Sequence, residues 1–288
     1  MRVEVDGIRI FFEVAGFSLE ADGPEFRKRP TLVALHGGPG WDHSASRDAL
    51  AVLSEFCQVI FYDHRAHGRS DGWEDISRQT LDQWGDDVAA FCDALEIEKP
   101  FILGTSFGGM VAQSYAVRHP DHASGVILNS TSAKFVLDDV CETFRRVVGE
   151  DAEHIARQAF TTGTPESLER YYERCLPKYS TDPMPPDKKA RIIYNEELIR
   201  RLLSPGGALR QMDFLPKLGS ITCPVLVLGG RDDPICPPQA ATAIAEAIGK
   251  NAELHIIEGC RHGIVQENPE IGAVLVKDFL DRVFSPRA

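Results

Sequence analysis

Residues 101 to 109 read "FILGTSFGG", an apolar run that stops at a serine set between glycines. The run has the length and composition of a strand, and "MVAQSYAVRHP" (110 to 120) continues as a helix that Pro120 closes shortly after its last turn. The pentapeptide Gly104-Thr105-Ser106-Phe107-Gly108 therefore fits G-x-S-x-G in the strand, turn, helix setting that gives this pattern meaning. A turn that sharp strains the serine backbone, and glycines on either side let neighbouring chain approach. The amino terminus of the helix brings partial positive charge to the same point.

Working outward, the same alternation repeats. Strand candidates are "RIFFEV", "TLVALH", "VIFYD", "FILG", "GVILN", "VLVLGG" and "AELHIIEG". Helical stretches separate them, such as 81 to 96, where Leu81, Trp84, Val88, Phe91 and Leu95 recur every three or four residues. This is how a mostly parallel sheet covered by helices on both faces reads in sequence, so the fold class is α/β. The start, "MRVEVDGIRIFFEV", suits a hairpin turning at Asp6 and Gly7. The alternation breaks after Asn129. From about 133 to 214 the chain is charged and helical and carries a proline-rich elbow, "STDPMPPDKK", and alternation resumes at "CPVLVLGG". The expected organisation is a core in two parts, 1–132 and 215–288, with an all-helical cap at 133–214 inserted between them.

Composition narrows the function classes. The chain has 288 residues, 43% hydrophobic and 26% charged, with a formal charge of −12. That charge repels a phosphate backbone or an anionic membrane surface, so neither nucleic acid nor membrane is an expected partner. The start lacks the basic segment and apolar run of a signal peptide, and no apolar run approaches the roughly 18 to 20 residues that span a bilayer. Seven scattered cysteines without a C-x-x-C pair fit reduced thiols and give no support to a metal site. A cytoplasmic protein acting on a small molecule is the expectation.

A free serine hydroxyl is a poor nucleophile and needs a base, an acid that orients the base, and donors for the oxyanion that forms. In the order that follows G-x-S-x-G, the acid comes next and the histidine last. "GGRDDPICPP" (229 to 238) follows one strand and offers Asp232 and Asp233; "EGCRHG" (258 to 263) follows the next and offers His262. Asp233 precedes a proline, which favours an extended backbone suited to reaching the histidine, so Asp233 is the preferred acid and Asp232 a turn residue or salt-bridge partner. "HGGPG" (36 to 40) follows the strand "TLVALH" and supplies the second oxyanion donor: Gly38, beside the N–H of Phe107. His36 reads as a structural ring that holds this loop. Trp41, just beyond it, is a candidate wall for an apolar acyl or prolyl pocket, or a core residue. Cys236 and Cys260 accompany the acid and the base as small buried filler.

"HGGPG", "DHRAHGRS" (63 to 70), "GTSFGG", "GRDDPICPP" and "GCRHG" together resemble the α/β-hydrolase superfamily and, within it, the proline iminopeptidase group. The resemblance covers roughly 1–132 and 215–288. It implies a nucleophile at Ser106, a base at His262, an orienting acid at Asp233 and a helical lid, with no metal or organic cofactor. Two departures stand out. The segment at 63 to 70 usually reads D-Q-R-G-x-G-x-S, whereas His64 and Ala66 stand here. Aminopeptidases of the group hold the substrate ammonium with acidic residues, in some of them directly after the catalytic aspartate, where this chain has Pro234. Glu196 and Glu197 in the cap are the candidates for that task, against a solvated helix face paired with nearby arginines. Epoxide hydrolases and haloalkane dehalogenases place an aspartate at the elbow, and Ser106 argues against both.

Three functions follow. One is a serine hydrolase acting on a small ester, lactone or amide. Another is an aminopeptidase of the proline iminopeptidase type. The third is a slow-turnover binding or receptor protein that keeps the triad.

Overall fold

In the computed structural model, which describes residues 1–182 and 184–284, each apolar run becomes a strand. β1 (Arg2–Val5) and β2 (Ile8–Ala15) form the hairpin, with Asp6 at φ 46° and Gly7 at φ 77°. β3 (Leu19–Asp22) and β4 (Glu25–Lys28) make a separate small ribbon that the apolar pattern does not signal, because its side chains are mostly exposed. The remaining strands are β5 (Thr31–Leu35), β6 (Gln58–Tyr62), β7 (Phe101–Thr105), β8 (Gly125–Asn129), β9 (Val225–Gly230) and β10 (Ala252–Ile257). They build one eight-stranded sheet in the order β1-β2-β6-β5-β7-β8-β9-β10. The six strands from β6 to β10 in that order are parallel, and β1 and β2 join antiparallel at one edge.

Side chains alternate across the central strands, which decides how the faces are covered. Val33 and Leu35 of β5 pack with Ile102, Val126 and Val227 on one face. Leu32 and Ala34 pack with Leu103, Ile127 and Leu226 on the other. Helices α1 (Ser44–Leu50), α2 (Leu81–Ala94) and α3 (Phe107–Arg118) belong to the first half of the core. In α2 the residues Leu81, Trp84, Val88 and Phe91 are buried against the sheet, and Thr80 caps the helix by accepting from the Gln83 N–H at 3.1 Å.

Between β8 and β9 the chain leaves the sheet as α4 (Leu137–Val147), α5 (Glu150–Thr162), α6 (Pro165–Arg174), α7 (Pro186–Arg191), α8 (Glu196–Leu203) and α9 (Ala208–Gln211). Of the proline-rich stretch 180–189, residue 183 lies outside the described residues, as do 285–288 of the last segment. The two ends of the insertion meet: Lys134 and Asp213 form an antiparallel bridge and a 2.8 Å ion pair, and the Phe214 N–H donates to the Ala133 carbonyl. Phe144, Ile155, Phe160, Leu168 and Tyr171 give the insertion a core of its own, while Leu198, Leu202 and Leu209 join the core beneath it. α10 (Pro238–Ile248), α11 (Ile264–Glu267) and α12 (Pro269–Val283) complete the layers.

Candidate active site

The turn from β7 into α3 is as tight as its sequence implies. Ser106 sits at φ 56°, ψ −117°, a left-handed backbone that side-chain-bearing residues rarely adopt. A Cβ on Gly104 would collide with the carbonyl of Gly108, and one on Gly108 with the carbonyls of Leu35 and His36. These glycines therefore set how closely helix, elbow and β5 approach. The Ser106 N–H donates to the Asn129 carbonyl at 3.0 Å, and the Thr131 hydroxyl donates to the Ser106 carbonyl at 2.7 Å.

His262 lies in the loop after β10, and Asp233 in the loop after β9. Nδ1 of His262 lies 2.8 Å from Oδ2 of Asp233, which is fully buried. The other carboxylate oxygen accepts the N–H groups of Ile235 and Cys236 at 3.0 and 2.9 Å. With Nδ1–H donated to Asp233, Nε2 carries the free lone pair. Asp232 points away and pairs with Arg146 of α4 at 2.6 Å, the salt-bridge role available to it. Asn129 ties the histidine loop to the elbow: its amide donates to Thr105 and Gln266 at 3.0 and 2.9 Å, and its oxygen accepts the Ile264 N–H at 3.0 Å. Single-sequence reading passed over Asn129, because a polar residue at the end of a strand carries no pattern.

The glycine-rich loop after β5 faces the serine. Gly38 lies at φ 142°, and Gly38, Ser106 and Phe107 line one cleft together. Beneath them His36, His64 and His67 cluster, with His67 stacked on the Phe107 ring at 5.4 Å and His64 edge-on to it at 5.4 Å. Burial holds His36 below the ordinary histidine range and His64 well below it, and pushes His67 down to about 3. All three are neutral near pH 7. Nδ1 of His36 lies 2.7 Å from the Gly37 carbonyl and its Nε2 accepts the His64 N–H at 3.3 Å, so His36 braces the loop. The loop 63–70 keeps its structural task despite His64 and Ala66. Buried Asp63 accepts from the His43 ring at 2.7 Å and from the N–H groups of His43 and Arg69, both at 2.9 Å. Arg65 grips Asp87 of α2 with two bonds of 2.8 and 2.6 Å.

The cleft over Ser106, open in part to solvent, spans about 760 Å³ between the sheet and the helical insertion. Trp41, Met110, Phe135, Phe160, Tyr179 and Ile199 are among its apolar walls, and Cys236 lines it as well. Burial, then the Asp233 carboxylate, pushes the Cys236 thiol far above its usual range, so it stays protonated. Tyr179 also reaches His262, accepting its backbone N–H at 2.9 Å and packing its ring edge-on at 5.3 Å. Glu196 and Glu197 do not share this space. They occupy the first turn of α8 and are exposed, while Leu198 and Ile199 turn inward. The expectation that they face the substrate is corrected by the register of α8, which sends its apolar stripe to the cleft and its acidic pair to solvent, where carboxylates suit the positive helix end. Arg210, which the sequence did not single out, lines the cleft, as does Tyr172 of the helical insertion.

Two groups of possible metal donors exist among the described residues: Asp233 with Cys236 and His262, and Asp42 with His43 and Asp63. In each the carboxylate and imidazole already bond one another. No helix among the described residues is long and apolar enough to cross a membrane.

A serine elbow at the carboxyl end of a central parallel strand, with an aspartate-held histidine from two later loops, defines a class of hydrolytic enzymes. Residues 30–269 match the family described as the alpha/beta hydrolase fold. The chain belongs to that family, and it is a hydrolase. Within the family it is similar to proline iminopeptidases. It is 27% identical to the proline iminopeptidase PfmaB of Pestalotiopsis fici, over 97% of this chain and 99% of that one. It is 28% identical to the proline iminopeptidase of Lactobacillus helveticus, over 90% and 92%. The crystal structure of the Mycobacterium smegmatis proline iminopeptidase superposes with a TM-score of 0.78 at 22% identity, covering 98% of this chain and 97% of that one.

Proposed function

We propose that Ser106, His262 and Asp233 form a catalytic triad that hydrolyses a small carboxylic ester, lactone or amide through an acyl-enzyme. The observation that carries this reading is the 2.8 Å pairing of His262 with buried Asp233, in a fold whose strained serine opens on an apolar cleft. Ser106 Oγ attacks the carbonyl carbon while His262 Nε2 takes its proton, and Asp233 holds the ring and favours the imidazolium. The Gly38 and Phe107 N–H groups receive the oxyanion. His262 then protonates the leaving group, and water releases the acyl group by the same steps in reverse. The insertion 133–214 acts as the cap that excludes water, and Trp41 is a wall of the acyl pocket. Buried free thiols, at every cysteine, suit a reducing compartment such as the cytoplasm.

The second reading, an aminopeptidase of the proline iminopeptidase type, is favoured by likeness to those enzymes along nearly the whole chain. Against it, no carboxylate is among the cleft-lining residues described, so a substrate ammonium has no partner there. Initial rates on a short-chain nitrophenyl ester and on a prolyl arylamide, for the wild-type protein and Ser106→Ala, decide between them. The expected result is multiple-turnover ester hydrolysis that falls by several orders of magnitude in Ser106→Ala, with little arylamide cleavage. Arylamide turnover that vanishes when the substrate amine is blocked supports the aminopeptidase instead. A single turnover without release means a binding protein, and ester turnover retained in Ser106→Ala rejects the triad.

A further inference from the structure

Among the described residues that line the cleft one carries a charge, and it is positive. Arg210 of α9 is the single ionisable acid, lysine, arginine or histidine side chain among the described residues that line it. Its guanidinium carbon lies 3.8 Å over the Phe135 ring and 5.4 Å from the Phe160 ring, and Nη2 donates to the Phe160 carbonyl at 2.9 Å. Nε and Nη1 are buried and have no hydrogen-bond partner. The hydroxyl of Tyr172, which also lines the cleft, is likewise buried and without a partner.

Donors covered without a partner are unfavourable. Arg210 as a whole is half-buried and keeps some contact with solvent, but it has no salt-bridge partner among the described residues, and stacking on phenylalanine offsets only part of the cost of its two covered nitrogens. Burial is the leading influence on Arg210 and lowers its proton affinity, yet a guanidinium stays charged at any ordinary pH. Burial also pushes the Tyr172 phenol up to about 12, which keeps it a donor. Guanidinium and phenol N–H and O–H groups together are the donor set for a carboxylate, and a substrate ammonium placed here meets a like charge.

We propose that Arg210, aided by Tyr172, is a specificity site for an anionic acyl group, so that the preferred substrates are esters or lactones whose acyl portion bears a carboxylate. The inference deepens the serine-hydrolase reading and relies on it for its rate measurement.

The test compares kcat/KM for nitrophenyl hemiesters of succinate, glutarate and adipate with that for neutral acyl esters of matched length, in wild type, Arg210→Met, Arg210→Lys and Tyr172→Phe. The wild type is expected to prefer at least one hemiester by roughly tenfold or more, the size of a charge-assisted bond. Arg210→Met brings that ratio near unity, Arg210→Lys keeps part of it, and Tyr172→Phe lowers it a few-fold. No wild-type preference at any chain length, or an unchanged ratio in Arg210→Met, overturns the proposal. Thermal shifts with glutarate and with glutaramide provide a readout independent of turnover and, on the wild type, of whether a variant folds. Stabilisation by glutarate alone, absent in folded Arg210→Met, supports the site, and equal shifts reject it. If no ester turnover depends on Ser106, the triad reading fails while the binding measurement still decides the anion site.

Discussion

The two adjacent aspartates show how much one residue's setting matters. Asp233 is buried and bonded to His262 and two backbone N–H groups, whereas Asp232 is a half-exposed partner of Arg146. Asp233→Asn should lower kcat on a nitrophenyl ester by about 10⁴-fold, because an amide favours the wrong imidazole tautomer. Asp232→Asn should leave both kcat and unfolding free energy nearly unchanged, within about 1 kcal/mol for an exposed ion pair. The His43 and Asp63 pair has a consequence for pH. Burial is the largest single influence and opposes charge on both, but their mutual hydrogen bond together with the neighbouring charges outweighs it, raising His43 above 6.5 and lowering Asp63 below 3.8. The histidine contribution is fully present below 6.5 and is lost as pH rises through the raised value. The carboxylate contribution is present above 3.8 and is lost as pH falls through the lowered one. Replacing His43 by Gln should cost about 3 kcal/mol near pH 6, where it leaves a buried carboxylate short of its cation. In urea unfolding, that difference should shrink near pH 9; a constant difference would refute the charged pair.

At the scale of elements, the β7 to α3 elbow depends on close backbone approach. Gly108→Ala drives a methyl group into the Leu35 and His36 carbonyls, which belong to the central strand and the start of the glycine-rich loop and cannot move cheaply. It should destabilise the protein by about 2 to 3 kcal/mol and depress ester turnover, as overpacking against rigid backbone does. Gly206→Ala, with nothing within 4 Å of the added carbon, should change stability by no more than about 0.5 kcal/mol. Chemical denaturation of both variants checks the contrast.

For the whole molecule, the joint between insertion and core is the feature to probe. Asn195 caps α8 by accepting the Leu198 N–H at 3.1 Å, and its amide donates to the Ala66 carbonyl of the core at 2.9 Å. Its own N–H donates to the Gly40 carbonyl of the glycine-rich loop at 2.7 Å. Asn195→Ala removes a cap and a buried link together and should cost about 2 kcal/mol. Hydrogen exchange should report faster opening of α8, with the sheet unchanged; uniform loss of protection would mean that insertion and core unfold as one unit.

The strands and the elbow were legible in sequence because they rest on local physics. An apolar run of five residues has to be buried on both faces, and a turn at positive φ next to crowded backbone demands glycine on each side of Ser106. The order of serine, aspartate and histidine followed from loops at the ends of parallel strands, so pairing Asp233 with His262 needed no long-range information beyond the fold class. The ribbon of β3 and β4 escaped notice since its residues are exposed and carry no alternation. Glu196 and Glu197 were candidates by type alone, and only the rotation of α8 about its axis decided that Leu198 and Ile199 face inward in their place. Arg210 reads in sequence as one more surface arginine. It becomes a charge lining the cleft only because α9 folds back over Phe135 and Phe160, from residues 50 to 75 positions earlier in the chain. What the sequence by itself determined was the scaffold and the candidate reacting groups, through burial periodicity and turn sterics. Which charge lines the cleft was decided by tertiary packing, because helix rotation and docking depend on contacts between segments far apart in the chain.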